Sequence, residues 1–122
     1  MYLKRIFSVV SVLTVTYSCV SYTEEQQASL DRGEEIYLTH CISCHGPQGD
    51  GMSGAYPPLT KSTIQDFHTK RAIDLIKKGS DFEGGMKPIA LSDEEITDVV
   101  NYIQNSWDNE APFLEVTMVQ NF

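Results

Sequence analysis

The hydrophobic pattern predicts a first helix from Ala28 onward. Apolar or small side chains recur every three or four positions at Leu30, Gly33, Ile36, Tyr37 and Cys41. This spacing places them on one face of a helix. A glycine inside such a face costs about 1 kcal/mol of helix propensity relative to alanine. Gly33 is explained if another helix crosses closely at that point; the alternative is that it marks only a weak helix.

A second helix is predicted over residues 70–78. Ala72, Ile73 and Ile76 share one face, lysines occupy the last turn, and Gly79 follows as a stop signal.

The last helix has the clearest start signal. Ser92 and Glu95 form the pattern of a capping box, in which each side chain satisfies a backbone N–H of the other. One apolar stripe then follows at helical spacing: Ile96, Val99, Val100, Ile103 and Trp107. Pro112 prevents simple continuation of this helix, and the sequence leaves the order of the tail, residues 108–122, open.

Glycine and proline separate these helices with two long irregular loops, residues 46–59 and 80–91. No segment shows the sustained alternation of a strand. We therefore expect an all-α domain of three main helices and long loops. A domain of about 95 residues with this much loop would bury only a modest core. A large, flat, apolar cofactor among the helices would remove that difficulty, and loops of this length are usually functional.

Length and charge restrict the number of domains and the kinds of partner that the chain can have. The chain has 122 residues, enough for one domain. Its 17 acidic residues outnumber 9 basic ones, for a net charge of -8. Such a surface would be repelled by nucleic acid phosphates, so a nucleic-acid partner is excluded. A protein partner steered by charge should present a basic docking face.

The N-terminus, residues 1–18, has the features of a signal peptide. Lys4 and Arg5 precede an apolar run, residues 6–15, that is too short for a transmembrane helix. We therefore expect export to the periplasmic side of a bacterial membrane.

The segment Thr16-Tyr17-Ser18-Cys19 resembles a bacterial lipobox, which predicts lipidation of Cys19 and membrane attachment through it. Simple cleavage near Ser18 and an uncleaved anchor helix to about residue 20 are the alternatives. Residues 19–27 would then form a tether to a domain over 28–107. Lipidation would also account for the odd one of the three cysteines.

The motif Cys41-Ile42-Ser43-Cys44-His45 has the C-x-x-C-H spacing of covalent haem c attachment. Its two thiols would add to the two vinyl groups of one porphyrin, since one helical turn spans their separation. The adjacent imidazole, of His45, would be carried to the iron as fifth ligand.

Two other kinds of site use similar residues. A thioredoxin-like dithiol needs a βαβ setting, which the flanking sequence does not show. A structural zinc site needs a second pair of ligands, and His40 lies too close to His45 while His68 alone is insufficient. The spacing favours haem over both.

The sixth iron ligand decides between electron transfer and ligand binding. Met86 is the favoured candidate, because neighbouring glycines allow close backbone approach and Pro88 stiffens the loop exit. Met52, only eight residues after Cys44, and His68 are alternatives, and Met118 lies in the tail.

The proline loop, residues 57–59, has a predicted supporting role. An iron-bound histidine usually donates its second ring N–H to a carbonyl or carboxylate. A carbonyl within Pro57-Pro58-Leu59 is the expected acceptor for His45, and Leu59 would pack on the haem face. An ordinary loop with an anchoring leucine is the alternative.

The ordered set of these features resembles the class I cytochrome c family over residues 28–107. The similarity rests on the first helix with Gly33 and Tyr37, the haem motif, the 49–51 loop, the proline loop, Gly79, Met86 and the last helix. It implies the cytochrome c fold, wrapped around one haem. It also implies that the first and last helices cross near Gly33 and Tyr102, that His45 and Met86 ligate the iron, and that the haem edge is exposed.

Residues 105–117 resemble monohaem domains that feed electrons to respiratory oxidases or nitrite reductases. One departure concerns the methionine loop: family members commonly have proline directly after the methionine, whereas here Lys87 lies between Met86 and Pro88. Because Lys87 is next to the expected ligand, its amine is a further alternative iron ligand.

The predicted function is single-electron transfer between respiratory redox partners, by a carrier that is not an enzyme. A haem subunit held permanently in an oxidase, reductase or dehydrogenase complex is one alternative. A haem-based ligand sensor or weak peroxidase with a displaceable Met86 is another.

Overall fold

A computed structural model describes residues 21–60 and 69–122. The helices in these residues are α1 (Glu24–His40), α2 (Ile42–His45), α3 (Thr69–Lys78), α4 (Asp93–Gln104) and α5 (Val116–Gln120). The described residues contain no strand, only an isolated bridge between Met52 and Tyr56. The all-α prediction is confirmed. Cys19 and His68 lie outside the described residues.

Helix α1 begins four residues before the predicted start at Ala28. The Thr23 hydroxyl accepts a hydrogen bond from the Gln26 N–H at 3.2 Å, and the Thr23 N–H donates to the Gln26 side chain at 3.0 Å. This capping box starts a polar, mostly exposed first turn, which hydrophobic spacing does not mark. The expectation that 24–27 belong to a tether is wrong.

Helix α4 begins as predicted and ends earlier. The capping box of Ser92 and Glu95 is present, with distances of 2.8 and 3.2 Å. The helix ends at Gln104, and the backbone then bends, so that Trp107 has a left-handed φ of 51°. The prediction that Trp107 continues the helical stripe is therefore wrong, although its indole still contacts the core from the bend.

Helices α1 and α4 cross at Gly33, as predicted. A Cβ atom at Gly33 would overlap the backbone oxygen of Asp98 and lie 2.7 Å from the Tyr102 Cβ. Beside this contact, the buried Asp98 carboxylate accepts hydrogen bonds from the Ser29 hydroxyl at 2.7 Å and from Arg32 at 2.6 and 3.0 Å. This hydrogen bonding raises the pKa of Arg32. The crossing therefore combines close backbone packing with a satisfied buried charge.

Helix α3 packs through Ile73 and Ile76, both buried. At its end the Lys77 ammonium lies 2.9 Å from Asp93 of α4 and donates to the Val119 carbonyl of α5, also at 2.9 Å. One lysine thus links α3 to both later helices.

The C-terminal residues 108–122 pack onto the domain. Leu114 and Val119 are buried. The Asn101 side chain accepts from the Leu114 N–H at 2.7 Å and donates to the Leu114 carbonyl at 3.2 Å, as a neighbouring backbone would. The segment whose order the sequence left open therefore covers part of α4.

Within residues 21–60 and 69–122, no helix is both long and apolar enough to cross a bilayer.

The crossing predicts a specific sensitivity to volume. We expect Gly33→Ala to lower the free energy of unfolding by about 1–3 kcal/mol, because the added methyl group forces α1 away from α4. Urea unfolding of the native protein measures this change. The exposed α1 substitution Glu35→Ala is the control and should cost less than about 0.5 kcal/mol. Equal midpoints for the two variants would contradict the proposed contact.

Candidate functional site

The C-x-x-C-H residues form a short helix of their own. Helix α1 ends at His40 and α2 begins at Ile42, with Cys41 between them at a φ of -114°. The N–H groups of Cys44 and His45 donate to the Cys41 carbonyl at 3.2 and 2.9 Å. Both thiols and the imidazole therefore lie on a single tight turn. Cys41 is buried, Cys44 is partly exposed, and neither is in a disulfide.

A hydrogen bond to the proline loop orients the His45 ring. Nδ1 of His45 lies 3.0 Å from the Pro57 carbonyl oxygen. Because a carbonyl only accepts, Nδ1 carries a proton, and in the neutral ring Nε2 then has the lone pair. The expected hydrogen bond from His45 to a carbonyl of this loop is present. The ring thus has the tautomer that a metal-ligating histidine requires.

Three hydrogen bonds to backbone carbonyls hold the loop that follows the motif. The buried Tyr37 hydroxyl donates to the Gly46 carbonyl at 2.6 Å. The Gly51 N–H donates to the His45 carbonyl at 2.8 Å, and the Leu59 N–H donates to Gly49 at 2.6 Å. The motif is therefore tied both to α1 and to the proline loop.

An aromatic cluster lies behind this loop. The rings of Tyr37, Tyr102 and Trp107 pack with centroids 5.1–5.7 Å apart. The Trp107 ring lies so close to Gly49 that a Cβ there would be 2.5 Å from it. Gly49, with a φ of 64°, thus lets the loop lie against the indole.

The Cys41 thiol does not have the lowered pKa of a redox-active cysteine. Burial, followed by the neighbouring Cys44, raises the pKa of the Cys41 thiol to about 11. Thioredoxin-like dithiols instead have a lowered thiol pKa, which favours the reactive thiolate. The free chain therefore keeps Cys41 protonated at neutral pH.

A zinc site also lacks ligands in the part of the chain that the structure describes. No three of its histidine, cysteine or acidic side chains are grouped closely enough to hold a metal ion. His40, at the end of α1, is exposed.

Met86 lies in a loop closed on itself. The Ser80 N–H and hydroxyl both donate to the Met86 carbonyl, at 2.9 and 3.3 Å. Gly79 turns the chain with a φ of 77°, and a Cβ there would lie 2.7 Å from the same carbonyl. The methionine is partly buried against the hydrophobic cluster that also contains Cys41 and Leu59.

The other described methionines differ from Met86 in exposure. Met52 is 58% exposed and Met118 is 48% exposed. Lys87, which the sequence offers as an alternative iron ligand, is also exposed. Of the described candidates, Met86 is therefore the one that already contacts the cluster behind the motif.

The family model described as cytochrome c oxidase, cbb3-type, subunit III matches residues 28–103. The chain belongs to the cytochrome c family. The recognition made from the ordered motifs is confirmed.

Curated relatives share the same region. A cytochrome c subunit of quinone-dependent alcohol dehydrogenase from Gluconobacter oxydans is 34% identical over 91 residues, 66% of this chain and 19% of the relative. Cytochrome c-552 of Thermus thermophilus is 30% identical over 89 residues, 62% of this chain and 67% of the relative. Cytochrome c-554(548) of Halomonas halodenitrificans is 38% identical over 66 residues, 51% of this chain and 78% of the relative. The chain spans about a fifth of the alcohol dehydrogenase subunits that it matches.

Two supporting residues were not found from the sequence. Ser80 closes the loop that contains Met86. A serine directly after a glycine is typical of a turn, and this local signal could have identified it. The buried Asn109 amide donates to the Leu59 and Ile103 carbonyls. Nothing local marks it, because an asparagine next to acidic residues is typical of an exposed loop.

The Tyr37 hydroxyl provides a test of the site. We expect Tyr37→Phe to lower the free energy of unfolding at pH 7 by about 1–3 kcal/mol, since the partly buried Gly46 carbonyl loses its donor. Burial raises the pKa of Tyr37 above its ordinary value of 10.0. The tyrosine's contribution is therefore complete below about pH 10 and is lost as the pH rises further.

Urea unfolding between pH 7 and 11 measures both effects. The difference between the original protein and Tyr37→Phe should shrink above pH 10. Tyr56→Phe, at a partly exposed ring, is the control and should differ little at any pH. A constant Tyr37→Phe difference across this range would contradict the assignment.

Proposed function

We propose that the protein carries single electrons through one haem c, attached covalently at Cys41 and Cys44 and ligated by His45 and Met86. The observation that carries this proposal is the hydrogen bond between Nδ1 of His45 and the Pro57 carbonyl, which leaves Nε2 available for the iron. Bound haem would supply a one-electron ferric/ferrous couple.

The residues present fit this cofactor. The thiols of Cys41 and Cys44 lie one turn apart, as covalent attachment to a porphyrin requires. The His45 imidazole uses Nδ1 for its hydrogen bond to Pro57, which leaves Nε2 for the iron. The Met86 thioether would be the second protein ligand to the iron, on a loop closed by Ser80. Leu59 would offer apolar surface to the haem, fixed by its own backbone hydrogen bonds.

Electron transfer, rather than catalysis, is what this ligand set supports. Two protein ligands would leave the iron no open position for a substrate. A fixed imidazole and a restrained methionine would also change little between redox states, which favours fast transfer. We therefore propose that the chain itself is not an enzyme.

The partners we propose are redox proteins with a basic docking face, given the net charge of -8. A second candidate, a haem subunit fixed in a dehydrogenase complex, is favoured by the similarity to alcohol dehydrogenase cytochrome subunits. Purification from native membranes separates the two: a stoichiometric partner retained at high salt supports the fixed subunit, whereas release at moderate salt supports the carrier.

The ligand assignment predicts the behaviour of Met86→Ala. The acid-denatured original protein should stay coloured and have the mass of the chain plus one haem. Met86→Ala should keep that mass and lose the far-red charge-transfer band of the ferric protein, because its thioether no longer binds iron. Met52→Ala, at an exposed methionine, is the matched control and should keep the band.

Two results would contradict the proposal in different ways. A colourless polypeptide at the bare mass would remove the covalent haem altogether. An unchanged Met86→Ala spectrum would leave the haem in place and exclude Met86 as its ligand.

For the N-terminus we propose export and lipidation at Cys19, on the strength of the sequence features of residues 1–19. We expect Cys19→Ser to move the protein from the membrane fraction to the soluble extract, since the acyl anchor is lost. Fractionation with haem staining measures this, and Cys19→Ser should retain its colour. Continued membrane association of the variant would contradict a lipid anchor and favour an uncleaved helix.

A further inference from the structure

Asn109 occupies an unusual position for a polar side chain. Its residue is 8% exposed, and its Nδ2 donates to the Leu59 carbonyl at 2.8 Å and to the Ile103 carbonyl at 2.7 Å. Its Oδ1 is buried without a hydrogen-bond partner among the described residues. A buried, unpaired amide oxygen costs free energy. The two donated hydrogen bonds must therefore offset that cost.

The backbone leading to Asn109 is also strained. Trp107 and Asp108 have φ values of 51° and 66°, a left-handed conformation that residues other than glycine rarely adopt. Such strain persists where surrounding contacts determine the conformation, and it is concentrated at functional sites. Here the determining contacts are the Trp107 ring against Gly49 and the Asn109 amide on Leu59.

Asn109 thereby fixes the proline loop from behind. Leu59 is held at both backbone polar atoms: its N–H donates to Gly49 and its carbonyl accepts from Asn109. Between Leu59 and Pro57 lies Pro58, whose ring restricts φ. A fixed Leu59 therefore restricts the position of the Pro57 carbonyl.

We propose that Asn109 is a positioning residue for the iron ligand His45, acting through Leu59 and the Pro57 carbonyl. This inference rests on the proposed haem function. A well-placed carbonyl draws the Nδ1 proton toward itself and makes the imidazole a stronger donor at Nε2. A stronger donor stabilises ferric iron, so the anchored loop lowers the reduction potential. Loosening the anchor should raise it.

The test compares two buried amides in the haem-loaded protein. Asn109→Ala removes the anchor of Leu59. Asn101→Ala, the matched control, removes an equally buried amide that fastens Leu114 instead. Redox titration should show an upward shift for Asn109→Ala corresponding to about a tenfold change in the ferric-to-ferrous ratio, or about 59 mV for a one-electron couple. Asn101→Ala should lower stability without that shift.

Proton exchange at His45 gives an independent readout. The Nδ1 proton should exchange with solvent faster in Asn109→Ala than in the original protein and Asn101→Ala, as measured by NMR of the reduced state. If Asn109→Ala does not fold, Asn109→Ser, which fills part of the space and cannot span to both carbonyls, takes its place in both measurements.

Two outcomes overturn the inference. One is an unchanged potential and exchange rate in the folded Asn109 variant. The other is an equal shift in Asn101→Ala, which would show that loosening the C-terminal segment alone is enough. In either case haem of the expected mass and spectrum leaves the proposed function intact, whereas absence of covalent haem from the original protein removes the proposed function itself.

Discussion

The close crossing of α1 and α4 at Gly33 is the constraint on which the rest of the structure depends. Because the glycine has no side chain, the α1 backbone reaches the Asp98 carbonyl and Tyr102 of α4. The Asp98 carboxylate, bonded to Ser29 and Arg32, adds a polar fastening that is satisfied within the same contact. The two helices are thus joined both by close backbone packing and by a buried polar contact.

This pair determines where the candidate site lies. The site begins where α1 ends, because Cys41 follows the last turn of that helix and Tyr37, one turn earlier, bonds to Gly46. The same site is supported where α4 ends, through the Trp107 indole and the Asn109 amide. The ends of both helices therefore contact the same loop, residues 46–59, and this loop supplies the Pro57 carbonyl that orients the imidazole.

How far the sequence predicts this arrangement depends on how local each signal is. Gly33, the capping box of Ser92 and Glu95, and the C-x-x-C-H spacing are local patterns, and they indicated the crossing, a helix start and a haem attachment motif. The family was recognised only from the order of all these features along the chain. The capping box at Thr23 was equally local, but the first turn it begins has no hydrophobic face, so hydrophobic spacing started the helix too late. The Trp107 error has the opposite cause, since helical spacing continues past the residue at which the backbone stops being helical.

Buried polar side chains in irregular segments are harder still. Asn101 and Asn109 resemble surface residues in the sequence, and their partners are backbone atoms 13 and 50 residues away. Such contacts depend on the assembled fold. They are also why the C-terminal segment, with little hydrophobic periodicity, is nevertheless held in place.

The length of α1 has a topographic consequence. Its 17 residues, at a rise of 1.5 Å each, extend about 25 Å. The helix therefore separates its capped start at Thr23 from the cysteine pair after its last turn by about this distance. Bulk added at Thr23 would lie far from the thiols and the imidazole and would leave the other end of the helix unhindered.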